Sequence, residues 1–150
     1  MKLTPSAILI LRLAVGIFFL YLGYTKIQNG WLSSSEHLQR SLANYEQNAS
    51  PVSKWFIERV AKPGVDIWSK LIALGETALG LSLILGLLVR VSTLVGIIMV
   101  FIFHLTNGTL FSLGFFGNPS AILVITSLLV LYVTRAGKKY GLDALFGKGK

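Results

Sequence analysis

Four long apolar runs dominate this sequence of 150 residues and restrict its fold more than any other feature. A helix needs about 20 mostly apolar residues to cross the roughly 30 Å of hydrocarbon in a bilayer. Runs of about that length cover residues 6–28, 67–89, 91–113 and 117–134. They predict an all-α, integral membrane four-helix bundle that forms one domain over residues 1–150.

The overall composition is that of a membrane protein rather than of a soluble domain. Hydrophobic residues make up 53% of the chain and charged residues 13%, whereas a soluble domain has about 25% charged residues. The net charge of +8 would by itself suggest a nucleic-acid partner, because clustered Lys and Arg displace counterions from phosphates. The basic residues instead flank the apolar runs, so we expect the lipid bilayer and other membrane protein subunits as partners, and no nucleic acid.

The basic residues also predict how the bundle is oriented in the membrane. Four spans place both termini on one side, together with the turn between the second and third spans. This side carries an excess of basic residues, opposed only by Asp143: Lys2, Arg90, Arg135, Lys138, Lys139, Lys148 and Lys150. Under the positive-inside rule both termini, including a basic tail over residues 135–150, are cytoplasmic. The loop over residues 29–66 then faces outward, and its periodicity predicts short amphipathic helices at 33–47 and 52–60.

Several kinds of metal and redox site are excluded by residues that the sequence lacks. It contains no cysteine, which removes disulfides, thiolate metal sites and iron–sulfur ligation. Its two histidines, His37 and His104, are too few for a three-histidine metal site, and only His104 lies in an apolar run. We therefore expect no haem, no metal and no iron–sulfur cluster from this chain alone.

Charged side chains within the apolar runs are the strongest functional signal in the sequence. A charge in the bilayer interior costs several kcal/mol, so its presence there indicates a partner or a function. Arg12 and Glu76 lie inside predicted spans, and Lys26 lies at the end of the first. Simple alternatives are that Arg12 and Lys26 extend towards opposite membrane surfaces, and that Glu76 is paired or protonated as part of a packing network.

A layer of polar residues near the bilayer midplane is the predicted site. At about 1.5 Å of rise per residue, Glu76 and His104 both lie about 20 Å from the cytoplasmic boundary. Tyr21 falls at a similar depth, and Asn107 lies one turn further out. The candidate catalytic residues are Glu76 and His104, although His104 alone is also compatible with an ordinary hydrogen-bonded interior histidine. The candidate cofactor-binding residues are Arg12, Tyr21, Lys26 and Asn107.

Several short motifs give the chain a family resemblance. They are Arg12-Leu13-Ala14-x-Gly16 with Gly23-Tyr24-x-Lys26, then Gly75-Glu76 followed by Gly80, Leu83, Gly86 and Arg90, and finally Gly137-x-x-x-Gly141-Leu142-Asp143. In order and spacing the chain resembles the DoxX family of small four-helix membrane proteins and the related DoxD-type subunit of thiosulfate:quinone oxidoreductase. The resemblance implies a multi-pass protein of a bacterial or archaeal cytoplasmic membrane, associated with sulfur or thiol oxidation and quinone reduction.

Two functional hypotheses follow, of which the first is favoured. The chain is an accessory or membrane subunit of a respiratory or redox complex, in which the intramembrane charges specify packing. Alternatively, it is the quinone-reducing subunit of a thiosulfate or thiol:quinone oxidoreductase, with quinone as its cofactor. Glu76 and His104 would then deliver protons, while Arg12 and Lys26 stabilise a reduced anion. A small-solute carrier or a lipid-binding scaffold is a weaker alternative.

Overall fold

The computed structural model of this protein describes residues 4–47, 49–110 and 112–146. Within these ranges the backbone forms helices and their connections, and it contains no β-strand. Three basic residues that contribute to the orientation prediction, Lys2, Lys148 and Lys150, lie outside the described residues.

Eight α-helices follow one another along the described chain. They are α1 (Pro5–Gln28), α2 (Glu36–Glu46), α3 (Pro51–Phe56), α4 (Val65–Leu85), α5 (Val89–Thr106), α6 (Leu113–Phe116), α7 (Pro119–Val133) and α8 (Asp143–Phe146). A π-helical turn, Ile57–Ala61, continues α3, and a 3₁₀ turn, Ala136–Lys138, precedes α8. In the described ranges, three helices are long and apolar enough to cross a membrane: α1 with 24 residues, α4 with 21 and α5 with 18. Helix α7 is apolar but has 15 residues.

The ends of the long helices follow from local chemistry. Helix α1 begins with Pro5 in its first turn, and the Thr4 hydroxyl accepts a hydrogen bond from the Ala7 amide at 3.4 Å. Proline suits this position because the amide that it lacks would have no partner in the helix. Helix α4 ends at Gly86, whose φ of +70° is a left-handed conformation that glycine adopts without strain. The chain therefore reverses sharply between α4 and α5.

Helices α1 and α4 pack antiparallel along a seam of glycines. Gly16 faces Ile84, Gly80 faces Leu20 and Gly23 faces Thr77, so contacts recur turn by turn along both helices. A Cβ atom added at Gly80 would lie 2.7 Å from the Leu20 Cα atom. The seam thus depends on hydrogen in place of a side chain, as is common where membrane helices approach closely.

Helix α7 completes the bundle beside α5 and runs in the opposite direction. The guanidinium of Arg90, at the start of α5, lies 4.7 Å from the ring centroid of Tyr132, near the end of α7. At the other end, the ring of His104 in α5 contacts that of Phe115, which precedes α7. The core that joins α1, α4, α5 and α7 consists of buried aliphatic and aromatic side chains: Val15, Phe19, Leu79, Leu83, Val89, Leu128 and Leu131.

Helices α2 and α3 form a second, smaller layer that we call the outer cap. It has its own apolar cluster of Leu38, Leu42, Ile57 and Ala61. Tyr45 packs against the edge of this cluster and contacts Phe103 of α5 ring to ring, and its burial raises the pKa of its hydroxyl. The Ser69 hydroxyl of α4 donates to the Trp31 carbonyl at 2.7 Å, which ties the segment before the cap to the bundle.

Candidate functional site

Lys26 and Glu76 form an ion pair that joins α1 to α4. The Lys26 ammonium donates to a Glu76 carboxylate oxygen at 2.6 Å. Both side chains are largely buried, with 21% of Lys26 and 11% of Glu76 exposed. The ammonium also lies 5.5 Å from the centroid of the Trp31 ring, within the range of a cation–π interaction. On α1, Lys26 lies one turn beyond Gly23, and on α4, Glu76 directly precedes Thr77, so the pair lies at the same end of the seam as the Gly23–Thr77 contact.

Arg12, near the other end of α1, is held by backbone carbonyls instead of a carboxylate. Its side chain is almost fully buried, with 1% of the residue exposed. One terminal nitrogen, Nη1, donates to the Ala136 carbonyl at 2.9 Å, and the other, Nη2, donates to the Tyr140 carbonyl at 2.7 Å. A Cβ atom at either Gly86 or Gly141 would lie 2.5 Å from Nη1. These two glycines therefore leave the space that the guanidinium occupies.

The segment over residues 136–143, which we call the C-terminal clasp, binds both Arg12 and the turn between α4 and α5. The Asp143 carboxylate accepts hydrogen bonds from the Leu88 amide at 2.7 Å and the Val89 amide at 3.1 Å. It thereby caps the N-terminus of α5, where a negative charge is favourable. The Asp143 amide donates to the Gly86 carbonyl at 2.9 Å. Asp143 also attracts Arg12 electrostatically.

Backbone strain in the described part of the chain is concentrated at this clasp. The non-glycine residues with positive φ there are Leu88 at 54°, Arg135 at 50° and Tyr140 at 56°. All three lie in the clasp or next to it. Such conformations cost of order 1 kcal/mol or more each and persist where surrounding contacts hold them. The bonds of Arg12 and Asp143 supply those contacts.

His104 and Asn107 meet through a third residue, Thr109, at the end of α5. The His104 Nδ1 atom lies 2.8 Å from the Thr109 hydroxyl oxygen. The Asn107 side-chain oxygen accepts from the Thr109 hydroxyl at 2.6 Å and from its amide at 3.1 Å. The rings of Phe103 and Phe115 contact the imidazole edge to face. His104, Thr109 and Asn107 are thus linked in a row by hydrogen bonds, and two aromatic rings contact the imidazole.

Tyr21 lies on the outer surface of the bundle, with 64% of its surface exposed. It lines a shallow groove of about 360 Å³ between α1 and α4, together with three aliphatic residues, a second tyrosine and a threonine: Ile17, Leu20, Ile27, Tyr24 and Thr77. The groove opens towards the side that lipid would occupy. Tyr21 is therefore separated from the interior polar groups.

The predicted site residues are distributed over four places. The structure brings Lys26 to Glu76 and links His104 to Asn107, whereas Arg12 binds the clasp and Tyr21 lines the surface groove. The catalytic and cofactor-binding roles proposed for these six residues stay predictions.

Two residues that organise these places were not predicted to do so from the sequence: Thr109, and Asp143, which stood out only as the acidic residue of the basic tail and as part of a family motif. An Asn107-Gly108 pair marks the turn that carries Thr109, because such dipeptides favour tight turns. The isolated Asp143 in a basic tail was a visible signal for a capping partner.

Comparison with known proteins corrects the family suggested by the motifs. The family model of the HTTM domain matches residues 4–145, nearly the whole chain, and describes a membrane protein related to vitamin K-dependent gamma-carboxylation. The resemblance to the DoxX family is therefore wrong. Its motifs consist largely of glycines and charges that serve the α1–α4 seam and the clasp, and those packing requirements are not specific to one family. No curated protein and no solved structure matches the chain significantly.

Proposed function

Because the chain belongs to the HTTM domain family and is a multi-pass membrane protein, we propose that it acts as a non-catalytic scaffold. It serves as an accessory subunit of a larger membrane complex. One observation carries this proposal: the chain itself engages both cations of α1. Lys26 is paired with Glu76, and Arg12 is bound by two carbonyls of the clasp.

The engagement of these cations favours a packing role over chemistry. A charge inside a membrane is stabilised when a partner within the protein replaces its water. The Lys26–Glu76 pair supplies that partner for both ions at once, between α1 and α4. A group that stabilises a substrate anion would instead have to leave its present partner before it could act.

We also propose that α7 crosses the membrane, which gives four spans and two cytoplasmic termini in a bacterial or archaeal cytoplasmic membrane. At about 1.5 Å per residue, α7 is about 22 Å long, shorter than the hydrocarbon core. It nevertheless runs beside α5 from the level of His104 to that of Arg90. A short span is accommodated by local thinning of the bilayer at modest cost.

Thiol labelling in intact cells tests this topology, because the chain has no cysteine of its own. Single cysteines are placed at Arg40 in the outer cap and at Lys139 in the clasp, both of which are exposed. An impermeant thiol reagent should label the Arg40→Cys variant at once and the Lys139→Cys variant only after permeabilisation. Labelling of both variants in intact cells would contradict the four-span topology, and the reverse pattern would contradict the orientation.

A charge exchange tests the scaffold proposal. The single variants Lys26→Glu and Glu76→Lys each place like charges together in the seam, so both should lower the thermal unfolding temperature in detergent. The double variant Lys26→Glu with Glu76→Lys restores opposite charges and should recover most of the loss. Purified protein should show no quinone reduction with thiosulfate, sulfite or thiol donors.

A catalytic role would give a different pattern in the same experiment. The wild-type protein would reduce quinone, and the exchanged pair would restore folding without restoring turnover, because the acid and the base would have changed places. The neutral variant Lys26→Gln with Glu76→Gln serves as a matched control. It removes both charges without creating repulsion, so it separates loss of charge from loss of fold.

A quinone-linked membrane subunit is the second candidate, and the groove lined by Tyr21 and Tyr24 favours it. The groove is apolar and open at the surface of the bundle, and two of the residues that line it are tyrosines, whose hydroxyls are of the kind that donates to a quinone carbonyl. Under this hypothesis Tyr21→Phe should weaken quinone binding by about tenfold, the value of one hydrogen bond. Tyr132→Phe, at the far end of α7, is the control. Equal quinone binding by all three proteins would contradict this candidate.

A further inference from the structure

His104 presents a buried ring nitrogen for which the described residues supply no hydrogen-bond partner. The residue is fully buried, and the unpartnered atom is Nε2. In the part of the chain that the structure describes, one other buried side-chain atom shares this condition, the Nε of Arg12. The guanidinium of Arg12 already makes two hydrogen bonds through its terminal nitrogens. His104 has a single bond, on the opposite side of its ring.

The neighbours of His104 determine which nitrogen carries its proton. The Asn107 side-chain oxygen is an acceptor, so the Thr109 hydroxyl hydrogen points towards it. The Thr109 oxygen then offers a lone pair to His104 Nδ1, and a favourable contact at 2.8 Å requires a hydrogen on that nitrogen. In neutral imidazole the other nitrogen has no hydrogen. The Nε2 atom of His104 is therefore an acceptor that faces inward.

An acceptor in this position calls for a donor, and residues 4–47, 49–110 and 112–146 provide none. A buried polar atom left without a partner destabilises the folded protein. The surroundings are aromatic and apolar: Phe103 and Phe115 contact the imidazole, and Phe115 stacks on Phe101. A hydroxyl group carried on an apolar body matches both the acceptor and these surroundings.

The bilayer is the source from which such a molecule can reach His104. Phe101 and Phe103 are partly exposed on α5, and Leu113 and Phe116 are strongly exposed on α6. Helix α6 has four residues and carries Phe115, which covers the imidazole. We propose that His104, under α6, forms a binding site for a membrane-soluble phenol or alcohol whose hydroxyl donates to Nε2. This site goes beyond the scaffold role and is separate from the Tyr21 groove.

The fixed tautomer gives the site a definite selectivity. A phenol or alcohol hydroxyl donates a hydrogen bond and fits the acceptor. A methyl ether of the same shape, or a molecule with carbonyl acceptors alone, brings a second lone pair against Nε2 and is disfavoured. Binding should therefore depend on one hydrogen atom of the ligand, which can be removed without changing the apolar body.

Nitrogen NMR of the detergent-solubilised protein tests the site directly. The chain has two histidines, so His37→Gln leaves His104 as the single source of imidazole signals. His37 is exposed and stacks on Trp31, away from the proposed site. We expect a protonated Nδ1 and an unprotonated Nε2, and 4-hexylphenol should shift the Nε2 signal in a saturable way. The methyl ether of 4-hexylphenol should bind at least about tenfold more weakly, as expected for one lost hydrogen bond.

Two variants separate this site from a structural role of His104. Thr109→Val removes the acceptor that fixes the tautomer and should weaken phenol binding, whereas Thr126→Val, which breaks a bond within α7, should leave binding unchanged. A hydrogen on Nε2 would overturn the proposal, and so would equal responses to phenol and ether. An Nε2 signal already hydrogen-bonded without phenol and unchanged by it would indicate a buried water only, and would also overturn the proposal.

Discussion

The two cations of α1 lie about 21 Å apart along the same helix, at about 1.5 Å per residue, and are stabilised in opposite ways. Arg12 is almost fully buried and donates to two carbonyls of the clasp. Lys26 remains partly exposed and pairs with the carboxylate of Glu76. The charge of Arg12 is stabilised mainly by backbone carbonyl dipoles and by nearby Asp143, whereas that of Lys26 is stabilised by the single carboxylate of Glu76.

This difference follows from the shapes of the two side chains. The planar guanidinium of Arg12 directs several donors at fixed angles, so it can connect two carbonyls of a turn. The ammonium of Lys26 is a compact charge on a flexible stem, which suits a single carboxylate. The Arg12 end therefore organises backbone, and the Lys26 end joins two helices.

The largest effect is expected for a substitution that disrupts the glycine seam between α1 and α4, because both the Arg12 end and the Lys26 end depend on this contact. Gly80→Leu places a side chain against the backbone of Leu20 and should separate α1 from α4. We expect a loss of more than about 4 kcal/mol in the free energy of unfolding, or no folded protein. Thermal unfolding in detergent measures it. Gly75→Ala is the control, because its added Cβ would meet the flexible end of Met99 at 3.4 Å. A folded and stable Gly80→Leu variant would show that the fold does not require the close contact of α1 and α4 at Gly80.

Removal of the Arg12 guanidinium should have the next largest effect. Arg12→Met fills much of the space but leaves two carbonyls without donors, each worth about 1–3 kcal/mol when buried. The total loss should be about 2–6 kcal/mol in unfolding free energy. Arg12→Lys should recover only part of it, since one ammonium lacks the planar fork. If Arg12→Met lowered the unfolding free energy less than Lys26→Met, the Lys26 end and not the Arg12 end would contribute more to stability.

The Lys26 end is best measured by a double-mutant cycle. Lys26→Gln, Glu76→Gln and their combination should give a coupling energy of about 1–3 kcal/mol, determined from unfolding in detergent. Coupling should change little with added salt, because the pair is largely buried. Additive single effects would show that the two side chains stabilise the fold independently.

Loss of the Asp143 cap should destabilise the clasp moderately. Asp143→Ala removes two hydrogen bonds to the start of α5 and should cost about 0.5–2 kcal/mol, as for other helix caps. Combined with Arg12→Met, its effect should be less than additive, because both residues hold the same segment. Full additivity would mean that Arg12 and Asp143 stabilise different parts of the molecule.

The smallest effect is expected for an ion pair in the outer cap, which serves as the aqueous reference. Lys62 donates to both oxygens of Glu46, at 2.8 and 2.6 Å, but the pair is more exposed than Lys26–Glu76. Lys62→Gln should cost at most about 1 kcal/mol and lose its effect at high salt. A coupling as large and as insensitive to salt as that of Lys26–Glu76 would remove the distinction between the two environments.

The sequence predicted the all-helical membrane character well, because long apolar runs have few alternatives. It also marked Arg12, Lys26 and Glu76 as unusual, since intramembrane charges are visible without a structure. The partners of these three residues were harder to predict from the sequence. The Lys26–Glu76 contact depends on the antiparallel register of α1 and α4, and the bonds of Arg12 depend on a turn more than 120 residues away. Backbone carbonyls have no sequence signature, so no motif could identify them as the partners of Arg12.

The clasp also has a consequence for the order in which the chain is made. Arg12 leaves the ribosome well before the carbonyls that bind it, which belong to residues 136 and 140. Until residue 140 has been synthesised, α1 therefore carries a cation that lacks these two partners. Chains truncated before the clasp keep this cation without them, which distinguishes them from chains that include the clasp. Synthesis of the clasp and stable packing of α1 are thus coupled through one side chain.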